Sequence, residues 1–285
     1  RTRDRKTPGT TMRVLVATTT LLSAALLALR RRTPPPTRRV LVEEEEVLPG
    51  GIVLWAFGRS ATDTFAGTTV RTAGWRYCRG EKEAFKTTKP SARKLRNCVA
   101  HAERFVHVKP YHIHNSPLAN QTTFFAAARD AGFTVVAASY RENALARAVS
   151  SYELNVLSWT KSPPDKKARQ TFCTGKLTES FQKDRLEYES GIRAARSTPG
   201  LQLIELSFTD VTVDLCESTH RTLSLISQPL GRRPCKVFYS QHTKTSHHQA
   251  SLAERIGPDA AACVERDLRN HSKFAWMLDV HREDP

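Results

Sequence analysis

The chain has 285 residues, of which 39% are hydrophobic, and its 44 Lys and Arg against 28 Asp and Glu give a formal charge of +16. This length predicts one domain with a short appendage, because a single hydrophobic core stops growing at about 250 to 300 residues. The apolar and aromatic content excludes a wholly disordered chain. A polytopic membrane protein is also excluded, since the sequence contains no run of about 20 apolar residues.

The excess positive charge is concentrated near the N-terminus. Residues 1–39 contain ten Lys and Arg against one acid, Asp4, so they carry +9 and the rest of the chain carries +7. The remaining charge suits an anionic small molecule or an acidic glycan as well as it suits nucleic acid. Basic stretches without interleaved aromatic residues, and without an RNA or DNA motif, argue against nucleic acid as a partner.

Residues 1–46 are expected to form a basic leader. Its apolar segment, residues 14–29, would span about 24 Å as a helix, which is less than a bilayer core of about 30 Å. The pattern indicates a secretory signal, a short signal anchor or an organelle transit segment, and a buried core helix is the alternative. A Pro-rich and acidic linker follows, and the folded domain is expected over residues 47–285.

The cysteine count bears on the compartment. Six cysteines make an even number that permits disulfides in a secretory lumen, and their spacing leaves the pairing open. No CxxC spacing is present, so we expect no metal site. The cysteines are Cys78, Cys98, Cys173, Cys216, Cys235 and Cys263.

Strands and helices are predicted to alternate along the domain. Apolar runs predict strands at 51–57, 104–108, 133–138 and 201–206. Helical periodicity predicts helices at 62–73, 118–131, 142–157, 179–196 and 213–227. This alternation implies parallel pairing through right-handed crossovers, and hence an α/β three-layer sandwich with a central parallel sheet. Ligands of such folds bind beyond the carboxyl ends of the strands.

The first candidate site follows the first predicted strand. Residues 57–65 read Phe-Gly-Arg-Ser-Ala-Thr-Asp-Thr-Phe, a loop that enters a helix. Backbone N–H groups at such a helix start, with hydroxyl groups and a cation, form an anion cradle. An N-capped turn without a ligand is the alternative. The Walker A pattern GxxxxGK[ST] is absent, which argues against an ATPase.

The second candidate site follows the third predicted strand. Arg141 lies at the end of that strand, and Ser150 and Ser151 lie two to three turns into the next helix. A guanidinium and a hydroxyl in these places can hold one phosphate from two directions. A solvated helix face with an Arg–Glu pair is the alternative interpretation.

Together these two segments resemble the PAPS-dependent sulfotransferases, most of all the carbohydrate and heparan-sulfate branches. The resemblance covers residues 52–154 and, more loosely, the chain from there to residue 285. It implies a P-loop-NTPase-like fold with PAPS (3'-phosphoadenosine 5'-phosphosulfate) as the sulfuryl donor. It places Arg141 and Ser150 at the 3'-phosphate and Lys244 in a late loop over the nucleotide. The residues implied at the 5'-phosphosulfate are Gly58, Arg59, Ser60, Ala61, Thr62, Asp63 and Thr64.

The same resemblance extends to the acceptor side. Residues 79–85 are similar to a Lys-Glu-x-x-Phe segment of heparan-sulfate-type sulfotransferases, which implies that Glu83 is the general base. His112 is the second candidate base, because the cytosolic branch uses a His in this region. Lys109 resembles the Lys that faces the transferring group. A base and neighbouring cations are what in-line transfer of a sulfuryl group requires.

The resulting hypothesis is a sulfotransferase that acts on a carbohydrate hydroxyl. It needs a nucleotide donor and a glycan acceptor but no metal. The expected location is a type II Golgi membrane protein with a lumenal catalytic domain and one short anchor, and secretion or plastid targeting is the alternative. Ala61 and Asp63 differ from the family's usual residues and several motif spacings are shifted, so a non-catalytic module that binds a nucleotide or an anionic glycan is the competing hypothesis.

Overall fold

The computed structural model describes residues 50–80, 85, 89–101, 103–113, 116–118, 120–159, 164–239 and 250–282. The predicted leader at 1–46, with its apolar segment at 14–29, lies outside the described residues. No helix within the described residues combines the length and the apolar character that crossing a bilayer would require.

A parallel sheet of four strands forms the centre of the described fold. The strands are β1 (Ile52–Ala56), β2 (Phe105–Val108), β3 (Val135–Ser139) and β4 (Gln202–Leu206), in the order β2-β1-β3-β4. All neighbouring pairs are parallel. The expectation of an α/β fold with a parallel central sheet is therefore confirmed, and the carboxyl ends of β1, β2 and β3 lie side by side.

The described helices connect and cover these strands. In chain order they are α1 (Thr62–Ala73), α2 (Ala92–Ala100), α3 (Gln121–Asp130), α4 (Ala144–Trp159), α5 (Pro164–Phe172), α6 (Leu177–Arg196), α7 (Phe208–Thr212), α8 (Leu215–Ser224), α9 (Gln228–Gly231), α10 (Leu252–Ile256) and α11 (Pro258–Arg269). The helix at 62–73 has the predicted bounds. The prediction of one helix at 213–227 was wrong in extent, because two helices, α7 and α8, lie within residues 208–224. The sequence analysis did not predict α2.

The two faces of the sheet carry separate apolar clusters. Val53 and Trp55 point to one face, where residues of α3 and α6 complete the cluster. Ile52 and Leu54 point to the other face and pack with α1 and α8. Strands that are apolar on both faces are typical of a sheet covered on both sides. The arrangement is compatible with the expected three-layer sandwich.

A third cluster joins the C-terminal helices to α4, α5 and α6. Asn143, immediately before α4, donates its side-chain amide to the carbonyl oxygens of Asp279 at 2.9 Å and of Arg282 at 2.7 Å. Glu153 on α4 receives two hydrogen bonds from Arg255 on α10, both at 2.8 Å. The C-terminal segment is thereby attached to the helix that carries Ser150.

All six cysteines are paired. The disulfides join Cys78 to Cys98, Cys173 to Cys263 and Cys216 to Cys235, and no cysteine is free. The first connects the turn at Cys78–Gly80 to α2, the second connects the end of α5 to α11, and the third connects α8 to the segment that follows α9. Paired cysteines of this number are typical of proteins from an oxidising compartment.

Candidate anion-binding site

The loop between β1 and α1 has a tightly curled backbone. Arg59 and Ala61 adopt positive φ angles of 67° and 55°, a conformation that costs a non-glycine residue about 1 to 3 kcal/mol. Ala61 occupies the N-cap position of α1, where no side chain caps the helix. The backbone N–H groups of residues 60–63 form no hydrogen bond to other described residues. The start of α1 therefore presents unsatisfied donors, which is the usual setting of an anion site.

Ser60 lies inside this loop with an unpartnered hydroxyl. Its side chain is completely buried, and its Oγ has no hydrogen-bond partner. Buried polar groups almost always have a partner, so an orphaned hydroxyl beside free helix N–H groups points to a ligand that completes it. Thr62 and Thr64, in the first turn of α1, are also buried. Asp63 lies between them and is half-buried.

The loop contacts the second candidate segment directly. The Nε of Arg59 donates a hydrogen bond to the Oγ of Ser150 on α4 at 3.0 Å, across 91 residues of sequence. The pKa of Arg59 is lowered, mainly by burial and further by Arg141, whereas Asp63 and Glu153 raise it. These four charged groups therefore lie within electrostatic reach of one another. The structure brings together two segments that the sequence linked only by resemblance.

Arg141 follows β3 and is half-buried. Its guanidinium carbon lies 4.5 Å from the ring centroid of Phe208, the first residue of α7. Ser139, the last residue of β3, has a completely covered hydroxyl without a partner. Phe208 belongs to no recognisable sequence pattern, and Ser139, although it opens the second candidate segment, was given no role from the sequence.

Lys109 follows β2 and reaches towards the β1 loop. A Cβ placed on Gly58 would lie 3.3 Å from the Lys109 Nζ, so the ammonium group stands directly beside this glycine. Its Nζ is also 5.9 Å from the ring centroid of Tyr111. The structure therefore places Gly58, Arg59, Lys109, Arg141 and Ser150 around the carboxyl ends of β1, β2 and β3.

His112 has a role in the local turn. It is buried at the end of the turn Pro110–His112, and its Nδ1 accepts a hydrogen bond from the Lys109 backbone N–H at 3.2 Å. This bond requires an unprotonated Nδ1, so a neutral ring carries its proton on Nε2. The Nδ1 lone pair is therefore engaged by the backbone, which favours a structural role over proton abstraction.

Two predicted site residues lie outside the described residues. Glu83 is one, although its neighbours are described: the disulfide at Cys78 precedes it and the buried Phe85 follows it. Lys244 is the other. The described segment before it runs along α1, where the Phe238 backbone N–H donates to the Thr68 Oγ1 at 2.9 Å.

The contact between Phe238 and α1 depends on a glycine. A Cβ on Gly67 would overlap the Phe238 ring. The Lys236 N–H donates to the Thr72 Oγ1 at 2.9 Å, so the segment follows the helix for more than one turn. The guanidinium carbon of Arg71, one turn further along α1, lies 4.5 Å from the Phe238 ring centroid. Sequence analysis missed this contact, since an extended segment along a helix has no periodic signal.

Among the described residues, one group of three His, Cys, Asp or Glu side chains has the spacing of metal ligands. It consists of Cys78, Cys98 and Glu103. Because the two cysteines form a disulfide, their sulfurs are not available as thiolate ligands.

No protein-family model matches the sequence, and no curated protein matches it either. The residues of this site are therefore the basis for the function proposed below.

Proposed function

We propose that this protein is a sulfotransferase that transfers a sulfuryl group from PAPS to a hydroxyl group of a carbohydrate. The hydrogen bond between Arg59 and Ser150 is the observation that carries the proposal. It joins the loop at the start of α1, whose backbone N–H groups are unsatisfied, to a second cationic segment. A sulfuryl donor with two separate phosphate groups would require two such segments. We further propose that the fold is of the P-loop-NTPase-like sulfotransferase type.

Each group around the site has a chemical task in this proposal. The N–H groups of residues 60–63 and the Ser60 hydroxyl hold the 5'-phosphosulfate, and Arg141 with Ser150 holds the 3'-phosphate. Glu83 accepts the proton of the acceptor hydroxyl while the oxygen of that hydroxyl forms a bond to sulfur. The bond from sulfur to the phosphate oxygen breaks, and Arg59 and Lys109 offset the charge that develops on the leaving adenosine 3',5'-bisphosphate.

The proposed location follows from the disulfides and the sequence of the leader. Three disulfides are typical of a protein that folds in an oxidising compartment. The apolar segment at 14–29 supplies a signal anchor in this proposal, so the catalytic domain faces the Golgi lumen.

The direct test measures sulfate transfer by the full chain from radiolabelled PAPS to a panel of glycans, with phenols and simple alcohols for comparison. The competing hypothesis of a non-catalytic module predicts binding of adenosine 3',5'-bisphosphate without transfer to any acceptor. Arg141→Ala should weaken that binding about ten- to hundredfold, the usual worth of a charge-assisted hydrogen bond. Arg185→Ala is the matched control, because Arg185 is a half-exposed guanidinium on α6 that pairs with Glu142 and Glu189. An unchanged affinity in Arg141→Ala would refute the proposed donor site.

A second pair of variants identifies the base. Glu83→Gln should retain nucleotide binding and lose turnover by about a hundredfold or more, the usual contribution of a general base. His112→Asn should keep most of the turnover, because an Asn side-chain oxygen can accept the Lys109 N–H in place of Nδ1. The pH dependence of kcat should lose its acidic limb only in Glu83→Gln. Normal turnover in Glu83→Gln with loss in His112→Asn would assign the base to His112.

A further inference from the structure

Helix α2 and its flanking segments are rich in cations and poor in carboxylates. Between Asp63 and Glu103 the chain has two acids, Glu81 and Glu83, and both lie outside the described residues. Over the same interval it has nine Lys and Arg: Arg71, Arg76, Arg79, Lys82, Lys86, Lys89, Arg93, Lys94 and Arg96. A large share of the positive charge of the domain is therefore found in this one segment.

Helix α2 presents part of this charge to solvent on one face. Arg93, Arg96 and Asn97 are exposed, whereas Leu95 and Cys98 face the core. Residues three and four apart lie next to each other on a helix surface, so Arg93 and Arg96 are neighbours. The disulfide at Cys98 fixes this face to the turn that contains Arg79.

Among the described residues, several exposed cations on and near α2 differ from those on α6 in their lack of carboxylate partners. Within the described residues no carboxylate forms an ion pair with Arg76, Lys89, Arg93 or Arg96. The Lys94 Nζ donates to a backbone carbonyl, that of Lys89, at 2.8 Å.

Helix α6 provides the contrast. It carries four exposed basic residues over its 20 residues, and each of them pairs with a carboxylate. The pairs are Lys183–Glu187, Arg185–Glu189, Arg193–Glu189 and Arg196–Glu205. The cations on α6 are locally neutralised, whereas those of α2 keep their charge available to a partner.

We propose that the exposed face of α2 binds an acidic polysaccharide, in which carboxylates or sulfates repeat along a chain. The run Arg93-Lys94-Leu95-Arg96 places three cations on one helical turn, a pattern suited to a linear polyanion. This binding goes beyond the proposed function, because it needs neither the sulfuryl donor nor transfer.

Other polyanions fit this surface less well. Three disulfides point to an oxidising compartment, where nucleic acid is not the prevalent polyanion. An anionic membrane would be expected to engage apolar side chains along with the cations. The exposed large hydrophobic side chains of the described residues all lie outside this segment, at Tyr111, Leu186, Val213 and Tyr239.

The test compares two triple variants of the full chain with equal loss of charge. One is Arg93→Gln, Lys94→Gln and Arg96→Gln on α2; the control is Arg185→Gln, Arg193→Gln and Arg196→Gln on α6. Affinities for heparin and hyaluronan are measured at several salt concentrations. Because every protein is the full chain, the leader contributes equally to all of them. We expect the α2 variant to bind about ten- to hundredfold more weakly, with a shallower salt dependence, and the control to change little.

Further arms of the same experiment can overturn the proposal. Equal losses in the two triple variants would show a response to net charge alone. Tighter binding to single-stranded DNA of matched charge, or to phosphatidylserine vesicles, would assign the surface to another class of partner. Saturating adenosine 3',5'-bisphosphate should leave heparin binding unchanged, whereas displacement would place the polysaccharide in the nucleotide site. A protein that binds heparin through α2 but transfers no sulfate would refute only the proposed enzymatic activity.

Discussion

At the scale of single residues, Ser60 links the stability of the protein to its proposed ligand. Its hydroxyl is buried without a partner, and an unsatisfied buried polar group costs about 1 to 3 kcal/mol. Other buried hydroxyls of the described residues, Thr69 among them, also lack a partner, so it is the position of Ser60 beside the start of α1 that points to a ligand. The destabilising hydroxyl and the unsatisfied N–H groups at the start of α1 therefore support the same interpretation.

Ser60→Ala should consequently stabilise the ligand-free protein and weaken nucleotide binding. We expect the free energy of unfolding to rise by about 1 kcal/mol, because the substitution removes an unsatisfied group. Affinity for adenosine 3',5'-bisphosphate should fall about tenfold with loss of one hydrogen bond to a charged group. Urea unfolding and calorimetric titration measure the two effects.

Thr69→Val is the matched control for this substitution. Thr69 also lies on α1 and has a fully buried, unpartnered hydroxyl, but it is two turns beyond the loop. Its replacement should stabilise the protein similarly without a change in affinity. Equal loss of affinity in both variants, or no loss in Ser60→Ala, would contradict the role given to Ser60.

At the scale of elements, the segment ending at Phe238 depends on a small side chain in α1. Gly67 lies in the middle of this helix, where Gly is less favourable than Ala by about 1 kcal/mol. An Ala at this position would overlap the Phe238 ring, which packs directly on the helix there. The close contact therefore explains why a helix-destabilising residue occurs at this position.

The effect of Gly67→Ala should depend on Phe238. In the wild-type background we expect a loss of about 1 to 3 kcal/mol in the free energy of unfolding, which is typical of overpacking. In a Phe238→Ala background the same change should be neutral or stabilising by about 1 kcal/mol, since helix propensity then dominates. A double-mutant cycle by urea unfolding measures the coupling. Additive effects would show that the ring and the glycine do not interact.

At the scale of the whole molecule, the sheet was predictable because each strand has a local signal. β1 and β3 are buried on both faces, so they occur as continuous apolar runs, and the alternation with helices predicted parallel pairing. Helix α2 had no comparable signal, because among its nine residues Leu95 and Cys98 alone are buried. Local patterns therefore identify elements with large buried faces and miss a mostly solvent-exposed helix.

Contacts between distant segments were less accessible from the sequence. The two segments of the candidate site were recognised separately, but no sequence pattern gives the hydrogen bond from Arg59 to Ser150. Six cysteines allow about 15 complete pairings, so the observed one could not be derived from their spacing. The hydrogen bond from the Lys109 backbone N–H to the His112 Nδ1 depends on the geometry of a short turn. Each of these features is determined by tertiary packing rather than by local composition.

The disulfides should contribute unequally to the stability of the whole domain. Cys173 and Cys263 are separated by 90 residues, whereas Cys216 and Cys235 are separated by 19. Because a longer closed loop restricts the unfolded chain more, the first pair should contribute about 4.5 kcal/mol and the second about 3 kcal/mol. Replacing both cysteines of one pair by Ala and measuring the free energy of unfolding in urea tests this order.

The position of the Cys173–Cys263 disulfide, which closes the longer loop, leads to a further expectation about local stability. It connects the end of α5 to α11 within the third apolar cluster, which also contains α10. Hydrogen exchange in the Cys173→Ala, Cys263→Ala variant should therefore accelerate first in α10 and α11 and leave the protection of β1 and β3 nearly unchanged, since regions with fewer constraints open locally. Uniform acceleration across the sheet would show that the C-terminal helices and the sheet unfold as one cooperative unit. A greater loss of stability from removal of the Cys216–Cys235 pair would contradict the loop-length argument.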